Sequence, residues 1–277
     1  MSKKRELLSH VNQLNGIREI MAAMKNLAVL ESHKLSGRLD NLRKMVTELR
    51  YCAADFIASY TIEGTPVAEQ HKVLILFGSE RGFCGDFNDK LLRYIQQYEA
   101  ENSTANFILV GQKLISKLEE DSRVIQTLEG PSVAEDVGPN IDILISYLSE
   151  LAAKNPAIQI DAIFQDSDSC SVERRQLVPP LLEKQEHQQA VDYSVDINLT
   201  IQEVLADLMQ HYLFVLLHEI TYLSLMAENH DRIQHMNGAI NKLDETCENL
   251  TRRYHIERQE EITEEIEVIL LNAVDLS

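Results

Sequence analysis

The sequence predicts an α+α/β protein, with a long antiparallel coiled coil of N- and C-terminal helices and an inserted doubly wound α/β domain. Three observations predict it. Apolar residues at both ends of the chain recur in alternating steps of three and four. Strand-like and helix-like runs alternate in between. The two ends also carry opposite charge: residues 1–60 hold 10 basic and 6 acidic groups, and residues 201–277 hold 5 and 15. Opposite signs invite the ends to pair with each other or with a common partner.

The first segment, residues 1–60, reads as one shaft helix. Leu7, Val11, Leu14, Ile17, Met21, Met24 and Ala28 form a heptad seam. After the polar Glu31 and Ser32 it resumes at Leu35, Leu39, Leu42, Val46, Leu49, Ala53 and Phe56. No proline precedes Pro66, so about 50 residues could form a rod of roughly 75 Å. The last segment, residues 197–277, repeats the pattern through Ile201, Leu205, Leu208, Tyr212 and Val215. Ile233, Met236, Ile240, Leu243, Cys247, Leu250 and Tyr254 continue it, followed by Arg258, Ile262, Ile266, Ile269, Ala273 and Leu276. At about 110 Å this helix is expected to overhang its partner.

Residues 70–192 read as the inserted domain. KVLILF (72–77), ANFILVG (105–111), SRVIQTL (122–128) and IQIDAIFQ (158–165) are expected strands. Helices are expected at about 88–100, 111–120 and 137–154. SVERRQLVPP (171–180) suits a further strand at an edge or exit, because its prolines cannot donate to a ladder.

Composition narrows the function. Aromatics make up 6% of the 277 residues and Trp is absent, which suits long helices better than an all-β fold. A net charge of −18 repels a phosphate backbone, so nucleic acid is not an expected partner. No apolar run is long enough to span a bilayer, and MSKKRELLSH lacks a following leader-type segment. Cys52, Cys84, Cys170 and Cys247 lie far apart, without metal-binding spacing, and a reducing compartment is expected.

The turn GSERGFCGDFN (78–88) follows a buried-looking strand and precedes a helix, an arrangement that often cradles phosphate. Its glycines fit neither fingerprint. Gly78, Gly82 and Gly85 space as G-x-x-x-G-x-x-G, and Gly85 is followed by Asp86 and Phe87 where a P-loop needs Lys and Ser or Thr. Glu80 and Asp86 bring carboxylates to the place of a phosphate. Close backbone approach or an interaction surface is the better reading. His218-Glu219 begins a zinc-protease motif, but Tyr222 stands four residues on, where the second histidine is needed. Cys84 lies in the turn without a neighbouring base. On the last helix, Glu257, Glu260, Glu261, Glu264, Glu265 and Glu267 set like charges three and four apart. That crowding is unfavourable unless a partner's cations oppose it.

Taken in order, three stretches resemble the γ subunit, or central rotor shaft, of F-type ATP synthases over nearly the whole chain. They are IREIMAAMKNLAVLESHK (17–34), GSERGFCGDFN, and the pair ENHDRIQHMNGAINKLDE (228–245) and YHIERQEEITEEIEVI (254–269). The wording of GSERGFCGDFN and AMKNLAVLE looks most like the γ of the alternate, sodium-type ATPases. Four positions depart from the family pattern: Glu31 for a basic residue, Asp86 for glycine, Asn237 for lysine and Glu264 for glutamine.

The resemblance implies a non-catalytic rotor subunit that binds no nucleotide and needs no cofactor. Its implied partners are the α and β subunits of the catalytic ring, the ε subunit and the membrane c-ring. It would sit peripherally at the cytoplasmic face of the cell inner membrane, coupling proton or sodium flow to the β catalytic sites. Met24, Lys25, Arg232, Arg258, Gln259, Thr263 and Glu265 match positions that face or support β contacts. Arg81, Phe83, Cys84 and Asp86 fall at the ε side, and Asp192, Tyr193 and Asp196 in the foot above the c-ring. Two other classes remain open on the residues alone. A static coiled-coil tether would tolerate charge reversal at Arg232 and Arg258, and a nucleotide- or redox-active α/β enzyme would bind ligand in its central domain.

Overall fold

The computed structural model describes residues 3–60, 71–101, 105–155, 158–179 and 200–274. The chain forms two compact units, Met1–Ala28 with Ile233–Ser277, and Val29–Arg232. Two helices contribute to both: α1 (Lys3–Tyr60) and, last in the chain, α6 (Ile201–Val274). In between, β1 (His71–Phe77), α2 (Phe87–Glu101), β2 (Asn106–Val110), α3 (Gln112–Leu118) and β3 (Val124–Leu128) follow in order. A short 3₁₀ turn, α4 (Ala134–Asp136), then runs into α5 (Val137–Lys154), β4 (Ile158–Asp166) and β5 (Ser171–Val178).

In the larger unit the sheet order is β3-β2-β1-β4-β5. The first four strands are parallel, and β5 joins β4 antiparallel. Burial explains the order. The apolar runs of β1, β2 and β4 are buried almost throughout, as parallel strands covered on both faces must be. VIQTL of β3 and SVERRQLV of β5 are only partly buried, and these mixed sequences take the edges.

Each sheet face has its own core. Phe87, Leu91, Ile95 and Tyr98 of α2, with Leu114 of α3, cover Leu74, Leu76, Phe107, Leu109 and Ile163. On the opposite face, Val137, Ile141, Leu144 and Leu148 of α5 pack with Val73, Ile75, Ile108, Ile160 and Phe164. Leu35, Leu39 and Val46 of α1 and Tyr212, Val215, Leu216, Ile220 and Leu223 of α6 enter that same core. Here the heptad reading of α6 gives way to burial all round: from Val215 to Asn229, only His218 and Met226 are less than fully buried. A helix enclosed on every side needs no polar face. Its polar residues find partners instead. Thr221 Oγ1 donates to Leu217 O at 2.7 Å, Ser224 Oγ to Phe77 O at 3.4 Å, and Glu219 accepts from Arg175 Nη1 at 2.8 Å.

Two helix starts are held by side chains. Thr200 and Glu203 form a reciprocal capping box, with Thr200 N donating to Glu203 Oε2 at 3.0 Å and Glu203 N to Thr200 Oγ1 at 3.3 Å. The Thr200 hydroxyl, which also donates to Glu203 Oε2 at 2.8 Å, and then the Thr200 N–H hold the Glu203 carboxyl below its ordinary pKa. Glu31, the acidic departure on α1, accepts the Ala134 N–H at 3.3 Å where α4 begins, and pairs with Lys34 at 2.9 Å. An anion at that helix start satisfies an orphan donor, a task a basic side chain cannot perform.

In the smaller unit, α1 and α6 run antiparallel. Lys3 pairs with Glu257, Lys4 with Glu261 at 3.0 Å, and Arg18 with Asp244. The Glu257 carboxylate raises the Lys3 pKa by hydrogen bond and charge. Exposed pairs like these set register more than they supply stability. Met236 is fully buried and Ile240 nearly so, with Leu243, Cys247, Leu250 and Tyr254 half-buried along the expected seam.

Two parts of the seam differ from expectation. Ile17 is 48% exposed while Arg18, one residue on, is half-buried and reaches Asp244. Beyond Tyr254 the inner face passes through Glu257 and Glu261, leaving Arg258, Ile262 and Ile266 outward. Lys3 and Lys4 are already opposite those two glutamates, so α6 from Ile262 on runs past the described start of α1.

The glycines of the turn are not equivalent. A Cβ at Gly78 would lie 2.3 Å from Leu114 Cβ, and one at Gly82 would meet only Lys113 Cε, at 3.8 Å. Gly78→Ala should therefore destabilise the protein by roughly 1–3 kcal/mol through overpacking, while Gly82→Ala should cost less than about 0.5 kcal/mol. Denaturant midpoints of the two variants check this, and equal midpoints would contradict it.

Candidate functional site: the glycine-rich turn and the free end of the last helix

Reversal of strand order between β1 and β4 puts a switch point at their C-terminal ends, where doubly wound sheets hold ligands. In this chain the glycine-rich turn leaves β1 at that point and its own side chains fill it. Ser79 is fully buried. Its N–H donates to Asn88 Oδ1 at 3.0 Å, and its Oγ accepts from Asn88 Nδ2 at 2.8 Å and from the Cys84 thiol at 3.3 Å. Gln165 Nε2, at the end of β4, donates to Phe87 O at 2.6 Å.

Two carboxylates take the backbone donors that a phosphate would need. Glu80 Oε2 accepts from Gln112 N at 2.9 Å and from Gly130 N at 2.7 Å. Glu228, on α6, accepts from Glu80 N at 3.3 Å and Arg81 N at 3.4 Å. Arg232, one helical turn on, pairs with Glu228 and donates from Nη1 to Asn229 Oδ1 at 2.6 Å and from Nε to Gly82 O at 3.3 Å. Burial holds the Glu228 carboxyl above its ordinary pKa, and the guanidinium and the two N–H donors offset this only in part. The carboxylate readings at Glu80 and Asp86 thus divide. Glu80 turns inward onto backbone, and Asp86 turns outward to Lys90 and Arg93, each at 3.1 Å. Burial acts to raise the Asp86 pKa, but these two cations hold it below the ordinary carboxylate range.

The turn therefore has an inner and an outer surface. Arg81, Phe83 and Asp86 are exposed, Phe83 by 55%, with its backbone at φ 63. A large side chain held out by a left-handed residue is unusual. Cys84 is buried and belongs to the inner surface. Asp192, Tyr193 and Asp196 lie outside the described residues.

Of the residues expected to face or support β contacts, Arg258, Gln259, Thr263 and Glu265 are exposed on α6, and Met24 and Lys25 are half-buried on α1. Arg232 is different, with only 6% exposure and its guanidinium committed to Glu228, Asn229 and the turn. It can support a surface but does not face one. Glu228 and Asn229 were passed over in the sequence reading. Their one legible signal is E-x-x-x-R at i, i+4 within an apolar run, a spacing common on solvated helices. His218 stacks on Phe214 and bonds its carbonyl, and Glu219 pairs with Arg175, so this pair is packing and ion pairing. No group of three or more potential metal ligands occurs among the described residues.

Burial also raises the Cys84 pKa, with the Ser79 bond only partly offsetting it, while Cys52 and Cys170 are exposed. In the native full-length chain, iodoacetamide should label Cys52 and Cys170 at least about tenfold faster than Cys84. Peptide mass spectrometry over time reads this out, and equal rates would show the turn to be open.

Comparison with known proteins adds to this geometry. A family model described as "ATP synthase" matches residues 3–273. The chain is similar to the ATP synthase gamma chain of Caldanaerobacter subterraneus subsp. tengcongensis, at 25% identity covering 98% of this chain and 99% of that one. It is similar to the gamma chain of Ruthia magnifica at 23% identity, covering 99% of each. Among solved structures, its fold resembles a chain of the Euglena gracilis mitochondrial ATP synthase rotor, with TM-score 0.65 at 12% identity over 94% of this chain and 98% of that one. It also resembles a chain of the Tetrahymena thermophila central stalk and c-ring structure, with TM-score 0.61 at 19% identity over 79% of this chain and 99% of that one. With a family model spanning nearly its whole length and gamma chains matched end to end, this chain belongs to the ATP synthase gamma-subunit family.

Proposed function

We propose that the chain is the central rotor stalk subunit of an F-type ATP synthase or ATPase, itself without catalytic groups. The observation that carries this reading is the end-to-end family match on a chain whose two terminal helices lie antiparallel. The heptad seams support a coiled coil for these helices, and the strand order supports a doubly wound insert bounded near residues 70 and 192.

A rod acts as a coupling element when it is stiff and has different sides. Stiffness comes from the shared seam of α1 and α6. At the far end of α6, where residues 262–270 are exposed on every side, sidedness would come from the mixture of Arg258, Gln259, Thr263 and Glu265 with the exposed Ile262, Ile266, Val268, Ile269 and Leu270. Inside a ring of three αβ pairs, such a surface would press each β site differently. Rotation driven by ion flow through a c-ring would then cycle those sites through different nucleotide affinities. Met24 and Lys25 would meet the ring from α1, and Arg232 would support the shaft from inside. Arg81, Phe83 and Asp86 form the surface offered to an ε subunit, with Cys84 beneath it. The foot over the c-ring would include Asp192, Tyr193 and Asp196. Among the described residues no helix is long and apolar enough to cross a membrane, which suits a peripheral subunit held at the cytoplasmic face through the membrane sector. The names of the matched gamma chains carry no sodium-type designation, so that refinement has only the wording of the two motifs behind it.

Arg258 separates a rotor from a static tether. Arg258→Glu should change the stability of the free chain by less than about 0.5 kcal/mol, yet reduce ATP-driven ion pumping by the assembled complex at least several-fold. A tether predicts unchanged pumping. Truncation before Ile262 should leave the described seam intact and lower pumping per ATP hydrolysed. A truncated complex that pumps with normal yield would refute the rotor surface assigned to this end.

A further inference from the structure

We propose that the backbone of the glycine-rich turn forms an anion site at the sheet's switch point, and that its ligand is the chain's own Glu228 carboxylate. Three features build it. Successive N–H groups of Glu80 and Arg81 point at the two oxygens of Glu228, the arrangement by which backbone turns hold small anions. The Arg232 guanidinium supplies the opposing charge, as a charge-assisted bond on the same carboxylate. The site is buried: Glu228 is 4% exposed, Arg232 6% and Asn229 2%. Asn229 also has a buried Nδ2 with no hydrogen-bond partner among the described residues, so the site retains a donor its present ligand does not use.

The consequence is positional. Arg232 holds Gly82 O while Glu228 holds the two N–H groups just before it. The α6 pair therefore grips both sides of the residues that lead into the exposed Phe83. Glu228 is a positioning residue for that apex, and this holds whatever the apex touches. The pair also explains how a carboxylate stays buried. A lone charge here would cost several kcal/mol, whereas two backbone N–H donors and a guanidinium surround this one. The site's chemistry selects a small monocarboxylate, planar and singly charged.

Chemical rescue tests it on the full-length chain. Glu228→Ala leaves a void lined by the two N–H groups and Arg232, and should lower the melting temperature by roughly 5–10 °C. Sodium formate should restore at least half of that loss relative to sodium chloride at equal ionic strength, with no such difference for the unaltered chain. Glu228→Gln keeps the side-chain volume and removes the charge. It should melt below the unaltered chain and show no formate effect, because no void is left. The proposal fails if Glu228→Ala responds equally to formate and chloride, or if Glu228→Gln is as stable as the unaltered chain. Should Glu228→Ala not fold even in formate, that too refutes an anion site that a small carboxylate can fill.

Discussion

Everything in this chain depends on covering one apolar stripe on each of two very long helices. Neither α1 nor α6 is stable in water alone at such length with Leu, Val, Ile and Met exposed along one side. The chain solves this twice. In the smaller unit the two stripes cover each other, with Met236 and Ile240 buried and the ion pairs of Lys4 and Arg18 setting register. In the larger unit the α1 stripe and a segment of α6 buried all round join the core on one face of the sheet. The hydrophobic term dominates both places, since it scales with area while exposed ion pairs contribute little.

That constraint explains the features that look functional at first sight. A doubly wound sheet offers donors at its switch point, yet here α6 lies close enough for Glu228 to take those of Glu80 and Arg81. The glycines serve close approach, Gly78 against Leu114 above all. Glu31 becomes the partner of the Ala134 N–H. Sequence features typical of ligand sites have become internal fastenings.

How much of this was legible in the sequence follows from where the information lies. The helices and strands follow from local patterning. KVLILF reads as a doubly covered strand, and α5 shows Val137, Ile141, Leu144 and Leu148 at helical spacing. Which of two adjacent residues faces inward is settled by the partner, so Arg18 displaces Ile17 because Asp244 stands opposite. The seam past Tyr254 was misread for the same reason: at its described start α1 brings Lys3 and Lys4, not apolar side chains, against Glu257 and Glu261. The Glu228–Arg232 pair could not be recognised, because its meaning depends on a turn roughly 150 residues away in sequence. The exposed residues Arg258, Gln259, Thr263 and Glu265 were placed by family resemblance. They are exposed on α6, as are their neighbours from Ile262 to Leu270, because residues that serve a partner leave little trace in the fold of one chain.

The stalk account makes one demand that neither a tether nor an enzyme shares: the subunit must be unique in its complex. Co-expression with the α and β subunits of the same organism, followed by native mass spectrometry, tests this directly. The account predicts one copy of this chain for every three αβ pairs. A chain that remains free, or that assembles in equal number with α and β, would contradict it.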